Sequence, residues 1–145
     1  MTKFKYSMQN ILDIKIKLET QAKNEFSEAN AKYQIEKDKL QELVLKRVQY
    51  EEKLKNSLSG DLNITDISIN KKDINSIKSV IRTQLANVKK AEDELEEKRI
   101  ALNELMKDRK THEKLREKKF EEFQKDEKDS ESKEIDELVS FTYNS

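Results

Sequence analysis

The sequence predicts an all-α fold, a long two-helix antiparallel coiled-coil hairpin, and three observations carry that expectation. The 145 residues include no proline and one glycine, with 41% charged and only 34% hydrophobic side chains and a mean hydropathy of −1.02. That is too little apolar material for a three-dimensional core, but enough for a narrow stripe along a helix. The single glycine, Gly60, lies near the middle of the chain, in KNSLSGDLNITDI. Apolar residues recur with a seven-residue period on its C-terminal side. Disorder is disfavoured, because disordered chains tend towards high net charge and proline, whereas this chain balances 30 basic against 30 acidic residues.

The first helix is expected over residues 3–58. It opens with MTKFKYSMQNILDIKIKLE. A secretory signal needs an apolar core of about 7–15 residues after its charges. Gln9, Asn10, Asp13, Lys15 and Lys17 stand where that core belongs, so the stretch does not read as a signal. No apolar run approaches the roughly 20 residues that span a bilayer. A membrane-surface helix is the alternative use of these lysines with Phe4 and Tyr6, and packing on a partner helix is the commoner one. The expected seam runs through Ile11, Leu18, Phe26, Tyr33, Leu40 and Leu54. Two successive four-residue steps, Leu18 to Ala22 to Phe26, predict a stutter that locally unwinds the supercoil. Lys15 falls on a seam step and should lean its charge outward.

A turn is expected over 59–65, where Gly60 accepts a positive φ at low cost. Asn63 or Thr65 can cap the next helix, with Asp66 in its first turn. The second helix is expected over 66–128. Its first apolar series is Ile67, Ile74, Ile81, Val88, Leu95 and Leu102, and the interleaved series is Ile77, Gln84, Ala91, Lys98 and Leu105. Alternating three- and four-residue steps sustained over this length signal a coiled coil. A short connection makes the two helices antiparallel neighbours. Folding at the turn pairs Leu54 with Ile67, Leu40 with Ile81, Tyr33 with Val88 and Phe26 with Leu95. The same register brings Phe4 towards Arg116, with Phe120 and Phe123 just beyond, and so predicts an aromatic cluster at the end away from the turn. The chain is expected to be one domain, with a tail over 129–145 that is either helical or disordered and regains Ile135, Leu138, Val139, Phe141 and Tyr143.

Chemistry is sparse. There is no cysteine, which fits a reducing compartment. The lone histidine, His112, falls on the interleaved series without a second ligand or base, and reads as structural. The pairs Glu51-Glu52, Glu96-Glu97 and Glu121-Glu122 are adjacent in sequence, so on a helix they point about 100° apart and cannot share a substrate atom. The serines lack a nucleophile's context, and no glycine-rich loop could cradle a phosphate. No catalytic, metal or cofactor-binding residue is expected. The basic run RKTHEKLREKK is interrupted by two glutamates and followed by an acidic segment, a poor match to a nucleic-acid face. Near the turn, by contrast, Leu45, Val48, Ile69 and Val80 lie off the seam, with Tyr50 at its edge. Clustered exposed apolar residues suggest a docking patch for another protein.

Several stretches carry a family resemblance. FKYSMQNILDIKIKLETQAKNEF at the start, LNELMKDRKTHEKLREKKFEEF in the second helix and KEIDELVSFTY in the tail resemble the FliJ family of flagellar type III export proteins. The specific parts are Phe4-x-Tyr6-x-Met8-x-x-Ile11-Leu12, the run from Arg109 to Leu115, and Asp136-Glu137. The resemblance implies a non-enzymatic antiparallel coiled coil similar to the central stalk of rotary ATPases. It implies docking in the hexameric export ATPase ring, contact with the export gate membrane protein, and escort of export chaperones. The location implied is cytoplasmic, at the inner face of the cell membrane beneath the flagellum, and the state an elongated monomer. Phe4, Tyr6, Ile135, Leu138 and Phe141 join the turn-proximal residues as candidate partner contacts. The equivalent stalk of a virulence secretion system and a plain structural coiled coil are the alternatives.

Overall fold

The computed structural model describes residues 3–144. Two helices pack together, α1 over Gln9–Leu58 and α2 over Ile64–Asn144, and among the described residues there is no strand. The fold is the all-α two-helix hairpin expected.

The connection follows from its residue types. Ser59 N–H donates to Asn56 O at 3.3 Å, which ends α1. Gly60 then takes a φ of 117°, a conformation that other residues rarely adopt. Of the two candidate caps, Asn63 serves: its Oδ1 accepts from the N–H groups of Thr65 (3.0 Å) and Asp66 (3.3 Å), and its carbonyl accepts from Ile67 N–H (3.0 Å). Asp66 in the first turn complements the helix dipole.

The start of the first helix differs from expectation. Helix α1 begins at Gln9 rather than residue 3. Lys3 and Lys5 would place positive charge at the positive end of the helix dipole, and α1 has no acidic residue in its first turn to offset it. Residues 3–8 instead form an arm that ends in a turn. Gln9 N–H donates to Tyr6 O at 3.0 Å, and Ile11 and Leu12 N–H both donate to Met8 O at 3.1 Å. The tail takes the helical one of its two expected states, as α2 continues to Asn144. Neither glycine nor proline follows Gly60, so nothing in the sequence breaks it.

The chain forms two compact units, Met1–Ala22 with Leu102–Ser145, and Lys23–Ala101. In the second unit Ile74, Ile77, Ile81 and Ala91 are buried, and so are the polar seam residues Asn70 and Gln84. Buried amides must be hydrogen-bonded. Asn70 Nδ2 donates to Ser57 Oγ at 3.0 Å, and Gln84 Nε2 donates to both the carbonyl (2.9 Å) and the carboxylate (2.5 Å) of Glu36. Lys32–Glu94 (3.3 Å) and Lys98–Glu25 (3.2 Å) cross at the edges.

The polar contacts divide about the expected pairing. That pairing sets Asn70 beside residue 51 and Glu94 beside residue 27, but they meet Ser57 and Lys32, whereas Gln84 meets Glu36, next to its expected neighbour at residue 37. Matching apolar to apolar ignored the polar seam positions, whose need for partners helps to fix the pairing.

In the other unit Leu12 and Ala22 are buried. The expected aromatic cluster is present: Phe4 packs on Phe120 (5.0 Å, edge-on) and Phe123 (5.4 Å), with the Arg116 guanidinium 5.6 Å from its ring centre.

Replacing Ile81 and Val88 by Asp should place uncompensated charge in the seam at a cost of about 3–5 kcal/mol for a fully buried site. Circular dichroism should show a large loss of helicity, and unchanged helicity refutes the seam. Asn63→Ala should cost about 1 kcal/mol through the lost cap, read as a lower urea midpoint.

Candidate docking surfaces

In the unit holding the N-terminal arm, the seam carries charge where the sequence reading placed apolar residues. Ile11 and Leu18 are 40% and 39% exposed, whereas Leu12 and Glu19 are 3% and 2% exposed. The expected stutter is absent. Counting back by sevens from Leu54 gives Arg47, Leu40, Tyr33, Phe26, Glu19 and Leu12, all buried or half-buried. That period was the available signal. It was obscured because two of its members are charged and because Ile11 and Leu18 look like better core residues.

Glu19 is tolerated because α2 supplies a guanidinium. Arg109 Nε donates to Glu19, its second terminal nitrogen reaches Glu19 Oε1 at 3.3 Å, and its first donates to Glu113 at 2.8 Å. The hydrogen bond to Glu19 raises the Arg109 pKa further, partial desolvation opposes the rise, and the Glu113 charge adds to it. Lys15, expected to lean outward, instead pairs with Asp108 at 2.6 Å. That hydrogen bond holds the Asp108 carboxyl below its ordinary value near 3.8, against a desolvation penalty and with help from the Lys15 and His112 charges. His112 lies 3.6 Å from Asp108 through Nε2, and its buried Nδ1 has no partner.

Of the remaining seam candidates, Ile74 and Ile81 are buried, and Phe26, Tyr33, Leu40, Leu54, Ile67, Val88, Leu95 and Leu102 are half-buried. The partner-contact candidates divide. Leu45, Val48, Ile69 and Val80 are about half exposed, at 48–58%, while Tyr50 is half-buried at the seam. Sequence reasoning missed Val44, 44% exposed, which lines a groove with Tyr33, Leu40 and Val88. Ile135, Leu138 and Phe141 are open to solvent. Phe4 and Tyr6 are not free surface. Phe4 is occupied by Phe120, Phe123 and Arg116, and the Tyr6 hydroxyl is buried. The arm needs its aromatic residues to hold itself against α2.

No helix among the described residues is long and apolar enough to cross a membrane, and none of their His, Asp or Glu side chains group as a metal site would require. What the geometry offers is exposed apolar surface on a coiled-coil scaffold. It defines a helical-hairpin coiled-coil protein. The family model described as flagellar FliJ protein matches residues 4–145, and the chain belongs to that family. It is therefore a type III export-related coiled-coil protein, a non-enzymatic component associated with the export apparatus. No curated protein matches. Among solved structures, a YscO homolog from Chlamydia trachomatis is similar, with a TM-score of 0.75 and 21% identity, over 98% of this chain and 96% of that one. The likeness is one of fold.

The Lys15–Asp108 pair makes a pH prediction. Because the Asp108 pKa is lowered on folding, its stabilising contribution is complete above the ordinary carboxyl value and is lost as pH falls through the lower, folded one. Urea midpoints measured from pH 6 down to pH 2 should fall less steeply for Asp108→Asn than for the parent chain. Parallel curves exclude the assignment.

Proposed function

We propose that this chain is the stalk of a flagellar type III export apparatus, docking in the export ATPase hexamer, coupling it to the export gate membrane protein and escorting export chaperones. The observation that carries the reading is the family match over residues 4–145. Leu45, Val48, Ile69 and Val80 support it: exposed apolar side chains on an otherwise highly charged scaffold are the usual sign of a protein-binding surface. In this reading the chain works as an elongated monomer in the cytoplasm, at the inner face of the membrane. The action is mechanical and allosteric, since the residues offer no reacting group.

A second reading, the equivalent stalk of a virulence secretion system, is favoured by the fold likeness to a YscO homolog. Reconstitution separates the two: the chain should stimulate ring assembly and ATP hydrolysis by the flagellar ATPase of its own organism and not by a virulence ATPase.

The triple variant Leu45→Ser, Val48→Ser, Ile69→Ser should keep its helicity, since all three side chains lie off the seam. Its affinity for the ATPase or the gate should fall by about tenfold or more, the usual scale for losing interface anchors. Unchanged affinity for both, measured by surface plasmon resonance, removes this patch from the docking surface.

A further inference from the structure

We propose that the C-terminal segment of α2 is a preformed docking helix for a basic amphipathic helix of another protein. The proposal is independent of the ATPase and gate reading.

Among the described residues the N-terminal arm packs on Phe123 of α2 and shares a recess with Asp126. From Lys128 to Tyr143 every side chain is exposed, yet the helix continues to Asn144. Ile135, Leu138 and Val139, followed by Thr142, have the three- and four-residue spacing that puts them on one helical face. The first three are 59–66% exposed, and Phe141 beside them is 75% exposed. Such a stripe is the counterpart of the one that packs elsewhere in the hairpin, but among the described residues no second helix covers Ile135, Leu138 or Val139.

Charge selects the occupant. Glu134 and Glu137 line one shallow recess with Leu138 and Phe141, and the adjoining recess is formed by Leu138, Val139, Thr142 and Tyr143. From Gln124 to Ser145 the sequence has seven acidic residues against three lysines, in a chain whose total charge is zero. An apolar stripe with a carboxylate border suits a helix that brings leucine-like side chains at the same spacing and lysine or arginine at its edges. An anionic membrane surface is repelled by the same carboxylates. Two such segments from two copies would set like charges together. Because the helix exists before binding, little ordering cost opposes association.

The test uses the full-length chain and a fluorescent synthetic helix with Leu at i, i+3, i+4 and i+7 and Lys at its flanking positions. A counterpart with Glu in place of Lys serves as the control. Fluorescence anisotropy should show the Lys peptide binding at least about tenfold tighter than the Glu peptide, and binding should weaken as salt rises. The variants Glu134→Lys with Glu137→Lys, and Leu138→Ser with Phe141→Ser, should each lose about tenfold in affinity while sedimenting as the parent does. Equal binding of the two peptides overturns the charge selection. Undiminished binding by both variants overturns the location. Dimerisation abolished by the Leu138 and Phe141 changes would make the occupant a second copy. Tail-dependent co-sedimentation with anionic vesicles would make it a membrane.

Discussion

Everything in this protein depends on one stripe. Two packed helices shelter a side chain only where it falls on the shared seam, and the seven-residue period decides which side chains those are. Among the described residues only six apolar side chains are buried, and no large side chain is fully enclosed. A wide core can absorb a misplaced polar group by rearranging its neighbours. A stripe one side chain wide has far less room to do so, and its most deeply buried polar residues, Glu19, Asn70 and Gln84, are each met from the other helix.

The two units show how this is done. In one, Asn70 and Gln84 find Ser57 and Glu36. In the other, Glu19 finds Arg109 and Lys15 finds Asp108. Buried ion pairs are poor net stabilisers, because desolvation offsets much of their attraction. Their value lies in what they forbid. Sliding the helices by one turn would leave Glu19 buried without its guanidinium and Asn70 without its hydroxyl. Apolar pairs such as Leu with Ile lose far less on the same shift. The polar positions therefore set the register, and the apolar ones supply most of the adhesion.

That division explains how much was legible in the sequence. Proline absence, the lone Gly60 and the Ile67-to-Leu102 series give the hairpin, the turn and the α2 seam, because each is a local property of the chain. The aromatic cluster was legible because Phe4, Phe120 and Phe123 were brought near one another even by an imperfect register. The α1 seam near its start was not. Ile11 and Leu18 have the hydrophobicity of core residues, and only a partner 90 positions away in sequence, Arg109, makes Glu19 the better occupant. Phe4 and Tyr6 were read as docking residues for the same reason. Their exposure depends on an arm whose non-helical path comes from Lys3 and Lys5 at a dipole end and from a seat on α2.

The same constraint accounts for the surface that remains. A helix packed on one stripe leaves most of its circumference in water, so apolar residues off the stripe stay exposed unless a partner covers them. Leu45, Val48 and Ile69 lie beside an occupied seam. Ile135, Leu138 and Val139 lie on a stretch of helix with no seam partner among the described residues. An isolated helix of that length would be marginal because nucleation is costly. This segment avoids that cost by continuing a helix already nucleated and held by its pairing with α1. Its order is thus inherited from the packed part of the chain, while its apolar face is left uncovered. Packing among the described residues does not account for an apolar Ile135, Leu138 and Val139, and the acidic border beside them supplies the chemical condition for what can cover them.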